Sequence, residues 1–153
     1  MQIVISGSIA FDYLMHFPGR FRDHLIPEKL DSISVSFLVE SLSRERGGSA
    51  ANIAYSLGLL CEHPILMGTV GMDFADYRAW LEQHGVDLSA VREIPGVFSA
   101  SFFANTDSEN NQIGSFYTGA MAYSNGYKMA EALSGKPDLM VISPNDPRAM
   151  AQL

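Results

Sequence analysis

The sequence has a single cysteine, few basic residues and no long apolar run, and each shortage excludes a class of protein. Cys61 alone cannot form an internal disulfide or a CxxC zinc site, and it fits a reducing cytoplasm. The 10 Lys and Arg residues against 17 Asp and Glu give a formal net charge of -7, whereas a sequence-independent nucleic-acid binder needs a basic face. No run of about 18 apolar residues is present, so we expect no membrane span. The first residues lack the basic segment and cleavage site of a signal peptide.

Several catalytic signatures are absent as well. The four histidines do not show metal spacing of the H-x-x-x-H kind, so we expect no metal site in this chain. Neither the dinucleotide fingerprint G-x-G-x-x-G nor the P-loop pattern G-x-x-x-x-G-K-[ST] occurs. No Ser/His/Asp or Cys/His arrangement is identifiable. The length of 153 residues and hydrophobic fraction of 47% indicate about one globular domain rather than a disordered chain.

Short apolar runs alternate with segments of helical spacing, which predicts parallel βαβ units. The predicted buried strands are 2–6, 64–70 and 138–143, and the predicted helices are 47–61, 73–84 and 127–134. In the first helix, Ile53, Leu57 and Cys61 recur every four residues and predict the buried stripe, with Ser49 as the N-cap. Asp73 is predicted to cap the second helix and Gly85 to end it.

Other segments predict a second, smaller sheet. Residues 32–39 alternate polar and apolar, which is typical of a half-exposed strand. The segments 97–104 and 112–118 are rich in aromatic and β-branched residues around a polar turn, and they predict a hairpin. Three buried strands are few for a doubly wound parallel sheet, which is covered on both faces and usually has about five or more strands, so we expect this chain to be the N-terminal part of something longer.

Two places carry residues suited to binding. Gly47 and Gly48 precede a helix, where glycines let backbone N–H groups approach a ligand, and Asn52 lies one turn into that helix. The alternative is a tight loop-to-helix turn. Asp12 follows the first predicted strand and is able to accept two hydroxyl protons of a polyol. The alternative is a capping or turn aspartate.

Three motifs together resemble the N-terminal half of the PfkB, or ribokinase-like, carbohydrate and nucleoside kinases. They are G-S-I-A-F-D, G-G-S-A-A-N-I-A-Y-S-L-G-L-L and G-T-V-G-M-D. The stretch T-D-S-E-N-N-Q-I-G-S-F-Y-T-G-A-M resembles a bacterial and archaeal branch of adenosine or nucleoside kinases. The resemblance covers essentially all 153 residues.

This resemblance implies a doubly wound α/β sheet with a small β-sheet lid, whose strands we expect within 13–18, 32–46 and 97–118. It implies a nucleoside or sugar substrate and, for some relatives, a homodimer formed through the lid. It also implies transfer of the γ-phosphoryl group of ATP to a hydroxymethyl group, with Mg²⁺ and in many members a monovalent cation. The substrate contacts that it implies are Asp12, Gly47, Gly48 and Asn52, and further candidates are Ser49, Phe37, Asn111, Gln112 and Phe116.

The family's second signature, D-T-x-G-A-G-D, does not occur, and neither does its N-x-x-E motif. The first of these supplies the anion hole and the catalytic aspartate of the family, so we expect no catalytic residue within this chain. We therefore interpret residues 1–153 as the N-terminal part of one kinase domain whose nucleotide-binding half lies outside it. The alternatives are a non-catalytic small-molecule-binding module or an inactive truncated product.

Overall fold

The computed structural model describes residues 1–133 and 135–153, except for the side chains of residues 29 and 30. It divides the chain into two compact units. The first unit comprises residues 1–11, 46–101 and 117–153, and the second comprises residues 12–45 and 102–116.

The strands and helices follow one another in a mostly alternating order. The strands are β1 (Ile3–Ser6), β2 (Ala10–His16), β3 (Ser41–Gly47), β4 (Ile65–Val70), β5 (Val91–Glu93), β6 (Ala100–Thr106), β7 (Gln112–Tyr117) and β8 (Leu139–Ile142). The α-helices are α1 (Ser49–Leu59), α2 (Ala75–Gln83), α3 (Met129–Ala132) and α4 (Pro147–Met150). Within the part of the chain that the structure describes, no helix is long and apolar enough to cross a membrane.

The first unit contains a parallel sheet in the order β5-β4-β1-β8, as the alternation of strands and helices predicts. The register pairs Val4 with Ile65 on one side and with Met140 on the other. All four residues of β1 are buried, so this strand forms the centre of the core. The three-residue strand β5 was not predicted, because it is too short to show a period.

Helix α1 packs through alanines rather than through the larger residues that its spacing predicted. Its buried residues are Ala50, Ala51 and Ala54, which occupy little volume and so allow close packing. The prediction of Cys61 as a core residue was wrong: the thiol is exposed, and the residue adopts φ 63° just after the helix ends.

Helix α2 buries Tyr77 and Leu81 on the predicted face, and Gly85 follows its C-terminus with φ +79°. Its N-cap residue is Phe74 rather than Asp73. The Asp73 carboxylate accepts a hydrogen bond of 2.8 Å from the backbone N–H of Ser99. The predicted helix 127–134 is observed as the shorter α3, and Ser134 lies outside the described residues.

A second sheet has the order β3-β2-β6-β7, and most of its residues belong to the second unit. The hairpin β6–β7 agrees with the predicted one. The strand predicted at 32–39 was wrong, because residues 33–39 have irregular backbone and the strand begins at Ser41. Ile33 and Val35, on the apolar side of that alternation, are 57% and 39% exposed, so no sheet buries them.

Candidate functional site

The glycine pair of the first unit fixes the start of helix α1 against the turn between β1 and β2. Gly48 is the N-cap, with φ +92°, and a Cβ there would lie 2.5 Å from the Ser8 carbonyl oxygen. The Ser8 carbonyl accepts from Ala50 N–H at 3.1 Å, and its Oγ accepts from Ser49 N–H at 3.0 Å. Ser8 thus satisfies two helix N–H groups that lack intrahelical partners. The predicted Ser49 cap is wrong, since Ser49 is already the first helical residue.

Gly47 is buried, and its carbonyl accepts a hydrogen bond of 3.0 Å from the Tyr77 hydroxyl. This bond ties the end of β3 to helix α2. Asn52 is exposed on α1, and its backbone N–H donates to the Gly48 carbonyl at 3.0 Å. Its side-chain amide therefore lies on the solvent side of a rigid helix start, where it can both donate and accept.

Asp12 lies within β2, not in the turn after the first strand as predicted, and it is half-buried. Burial raises the pKa of its carboxyl above the ordinary value, and the charge of Glu45 raises it further. Glu45 lies on β3, the neighbouring strand of the second sheet. The two carboxyl groups thus make this part of the sheet locally acidic, and hydroxyl donors would stabilise the ionised form of Asp12.

Side-chain alternation places Asp12 and Phe102 on one face of the second sheet and a stacked aromatic pair on the other. Tyr13 stacks on Phe103 with ring centroids 4.7 Å apart, so these two share one face, and Asp12 and Phe102 share the other. Gln112 donates to Thr106 Oγ1 at 3.4 Å, which puts Gln112 and Phe116 of β7 on the Phe102 face. We call the face that carries Asp12, Phe102, Gln112 and Phe116 the acidic-aromatic face.

Because Gly114 has no side chain, the Phe102 ring can lie next to it on this face. A Cβ at Gly114 would lie 3.0 Å from the Phe102 ring, closer than most side-chain contacts. Phe116 is 52% exposed, so its ring is available for stacking. Phe102 and Glu45 were not singled out from the sequence as site candidates. The signal for Phe102 was its place on the predicted hairpin, whose other strand carries Phe116.

Two of the predicted contacts have other partners. The side-chain amide of Asn111 donates to both carboxylate oxygens of Asp107 at 3.1 Å, so it organises the β6–β7 turn. Phe37 lies in an aromatic cluster, with ring centroids 5.0 Å from Phe17 and 4.8 Å from Phe21. Neither side chain is on the acidic-aromatic face.

Asp107 is the centre of the β6–β7 turn. Its buried carboxylate also accepts from the backbone N–H groups of Phe21, Glu109 and Asn111. Burial alone would raise the pKa of Asp107, but these hydrogen bonds outweigh it and lower the pKa to about 2. The turn is therefore held by an ionised side chain.

The described residues contain no group of three or more His, Cys, Asp or Glu side chains placed to hold a metal ion. These described residues therefore do not fit the Mg²⁺ that the resemblance implies.

Comparison with known proteins identifies relatives that share this fold. The model of the pfkB family of carbohydrate kinases matches residues 22–152. A nucleoside kinase of Methanothermobacter thermautotrophicus is 31% identical over 124 residues, which are 80% of this chain and 37% of that protein. A nucleoside kinase of Methanocaldococcus jannaschii is 26% identical over 148 residues, which are 95% of this chain and 45% of that protein. The chain thus spans less than half of the length of either relative.

Solved structures of a nucleoside kinase are similar to this chain over almost its whole length. The ligand-free nucleoside kinase of Burkholderia thailandensis is 39% identical, with a TM-score of 0.80 over 98% of this chain and 49% of that one. The same enzyme in complex with inosine gives a TM-score of 0.77. These matches confirm the predicted ribokinase-like α/β fold. The chain belongs to the pfkB family of carbohydrate kinases.

Proposed function

We propose that this chain is the acceptor-binding part of an ATP-dependent kinase that phosphorylates the hydroxymethyl group of a nucleoside, adenosine-like in character. The observation that carries the proposal is the acidic-aromatic face of the second sheet. It combines the Asp12 carboxylate with the rings of Phe102 and Phe116, which are the two kinds of group that a nucleoside requires.

Each component suits one half of such a ligand. A carboxylate accepts two adjacent hydroxyl protons in charge-assisted hydrogen bonds, so Asp12 suits the ribose diol. Aromatic rings stack on nucleobases, and the exposed ring of Phe116 offers that surface. A sugar alone would use Asp12 but leave the rings without a partner. The rings therefore favour a nucleoside over a sugar as acceptor.

The comparisons support the same choice. The relatives named above are nucleoside kinases, and the Burkholderia thailandensis enzyme was solved with inosine. Gly47, Gly48 and Asn52 belong to the proposal as acceptor contacts of the first unit, with Ser49 beside them. Gln112 belongs to it on the second sheet. Phe37 and Asn111 are the weaker candidates, because each is engaged elsewhere.

The remaining parts of the proposal come from the family. ATP and Mg²⁺, with a monovalent cation, would be held by residues outside this chain, and the catalytic base would lie there too. A homodimer formed through the second sheet and a cytoplasmic location complete the proposal. Phosphoryl transfer needs positioned acceptor, positioned donor and exclusion of water, and this chain would supply the first.

The decisive experiment is titration of the chain with inosine, adenosine, ribose and fructose, monitored by isothermal titration calorimetry and by NMR chemical shifts. We expect the nucleosides to bind more tightly than the sugars and to shift the resonances of Asp12 and Phe116. Tighter binding of fructose or ribose would move the proposal to a sugar kinase. Absence of binding by all four would overturn the acceptor site.

A non-catalytic binding module is the second candidate. It is favoured by the absence of D-T-x-G-A-G-D from the sequence. A binding module should bind nucleosides equally well with and without the portion of a relative that this chain does not match. The kinase proposal predicts that phosphoryl transfer appears when that portion is added.

A further inference from the structure

Two strands cross the boundary of the first unit next to the proposed acceptor contacts. The chain leaves the first unit after Phe11 in β2 and re-enters it at Arg46 in β3. Asp12 directly follows Phe11, and Gly47 directly follows Arg46. The conformation of these two strand segments therefore fixes the backbone from which the acceptor contacts extend.

Helix α2 contacts both segments through one side chain, that of Tyr77, which is buried. The Tyr77 ring lies against the ring of Phe11, with centroids 5.4 Å apart. Its hydroxyl donates to the Gly47 carbonyl at 3.0 Å. A phenylalanine would bury the same ring, so the hydroxyl adds a directional contact that ring packing does not supply. Tyr77 thus joins the residue before Asp12 to the first glycine of the pair.

The next turn of α2 holds the same end of β3. The Arg46 guanidinium carbon lies 4.9 Å from the centre of the Trp80 ring, which is a favourable cation–π arrangement. Tyr55 of α1 stacks on Trp80, with ring centroids 4.2 Å apart. Arg46 and Gly47 are successive residues, and α2 therefore contacts both of them.

We propose that Tyr77 is a positioning residue for acceptor binding, which acts on Asp12 through Phe11 and on the glycine pair through the Gly47 carbonyl. This role rests on the proposed function, because Asp12 and the glycine pair are acceptor contacts only in that proposal. Binding groups must be held within about 0.5 Å of the productive geometry by side chains that are themselves packed and hydrogen-bonded. Tyr77 meets both conditions, since its ring contacts those of Phe11 and Phe74 and its hydroxyl has an acceptor.

Tyr77→Phe tests the hydroxyl contact, because it removes the hydroxyl and keeps the ring. Tyr127→Phe is the matched control: Tyr127 also lies in the first unit, and its hydroxyl donates to the Ala90 carbonyl at 3.2 Å. Each variant therefore loses one hydrogen bond from a tyrosine to a backbone carbonyl. In calorimetric titrations at a temperature at which both variants are folded, we expect Tyr77→Phe to raise the Kd for inosine at least fivefold. Tyr127→Phe should leave the Kd within about twofold.

NMR reports whether the change reaches the glycine pair. The Gly48 nitrogen shares a peptide group with the Gly47 carbonyl, and a hydrogen bond to that carbonyl polarises the whole group. Tyr77→Phe should therefore shift the amide resonance of Gly48, whereas Tyr127→Phe should leave it in place.

Phe11→Leu and Phe74→Leu form a matched pair that tests the ring contact. Both rings are buried, and the centroid of each lies 5.4 Å from that of Tyr77. Both variants should lower the Tm, because each removes part of a buried ring. Only Phe11 precedes Asp12, so Phe11→Leu should raise the Kd for inosine at least fivefold and Phe74→Leu less than about twofold.

A lower Tm for Tyr77→Phe with an unchanged Kd would make Tyr77 a purely structural residue and would overturn the proposal. An equal rise in Kd for either control variant would overturn it as well. The unmodified chain, titrated in parallel, separates this role from the proposed function. Inosine binding that Tyr77→Phe leaves unchanged removes the positioning role alone, whereas absence of binding by the unmodified chain removes the acceptor site and any role of Tyr77 in it.

Discussion

Asp12 carries a carboxyl group whose surroundings in the fold oppose its ionisation. Burial and the nearby charge of Glu45 both raise the pKa of its carboxyl, so the ionised form is less favourable in the folded chain than in water. Carboxyl groups with a raised pKa are frequent at binding sites, since a ligand that donates hydrogen bonds stabilises the ionised form.

Asp12→Asn is expected to lower the affinity for inosine at least tenfold, because a hydrogen bond to a charged group contributes about 1.5–3 kcal/mol. The same change removes the repulsion from Glu45, so the Tm should stay level or rise. Calorimetric titration and thermal unfolding measure the two effects. A variant that loses Tm along with affinity would assign Asp12 to the fold instead.

The ionisation of Asp12 also sets a pH dependence. The ionised carboxylate accepts hydroxyl protons in stronger, charge-assisted hydrogen bonds than the neutral acid, so the affinity should fall as the pH drops through the pKa of Asp12, at a pH above that of an ordinary aspartate. Glu45→Gln removes one of the two causes and should move this fall to lower pH. Titrations at a series of pH values test this, and an unmoved profile would contradict it.

Gly48 is a residue whose role in the fold follows from its backbone conformation and its close packing. Gly48→Ala should destabilise the chain by about 2 kcal/mol or more, because the φ of +92° is strained for alanine and its Cβ would lie 2.5 Å from the Ser8 carbonyl. Gly96→Ala is the control, with φ +77° but open space around the Cβ, and should cost only about 1 kcal/mol. Urea unfolding measures both, and equal losses would contradict the packing explanation.

At the scale of elements, the second sheet presents two different faces. The acidic-aromatic face carries Phe116, whereas the opposite face carries the stacked pair Tyr13 and Phe103. Phe116→Ala should weaken inosine binding about five- to fiftyfold, since stacking on a base contributes roughly 1–3 kcal/mol. It should leave ribose binding within about twofold. Phe103→Ala, on the other face, should change neither affinity, and an equal effect of both variants would argue against base stacking.

The β6–β7 turn should show a pH-dependent stability. Because the pKa of Asp107 falls from 3.8 to about 2 on folding, its contribution is full above the unfolded value and is lost as the pH drops through about 2. Asp107→Asn should therefore destabilise the chain at pH 7, and the difference from the unmodified protein should shrink towards pH 2. Urea unfolding across this range tests it. A difference that is constant with pH would mean that the charge contributes nothing.

Prediction from sequence succeeded where an element has a clear hydrophobic period or a helix boundary. It found β1, β4, β8 and both longer helices, because buried parallel strands and helix stop signals are visible in a single sequence. It failed at β3, whose residues Ser41–Glu45 are polar or exposed, because an edge strand exposed on both faces has no apolar alternation to detect. The exposed alternation at 32–39 was then mistaken for that strand.

For the whole molecule, the sequence offered candidate residues but not their arrangement. Asp12 and Phe116 were both candidates, yet it takes the stacking of Tyr13 on Phe103 and the Gln112–Thr106 hydrogen bond to put the two on one face. The glycine pair was expected to face a ligand, whereas Gly48 packs against the chain's own backbone at Ser8–Ala10. Which surface a glycine faces depends on tertiary packing, and one sequence does not contain that information.

On the proposed function, residues 1–153 by themselves are expected to bind an acceptor without phosphorylating it. The sequence lacks the D-T-x-G-A-G-D signature from which the family draws its anion hole and catalytic aspartate. Transfer of labelled phosphate from ATP to inosine should therefore stay at background with this chain alone, and it should appear when the unmatched portion of a relative is co-expressed with it. Asp12→Asn in the complex should lower kcat/KM for inosine, because the acceptor would no longer be held for attack. Turnover by the chain alone that disappears in Asp12→Asn would place a complete kinase site within these 153 residues.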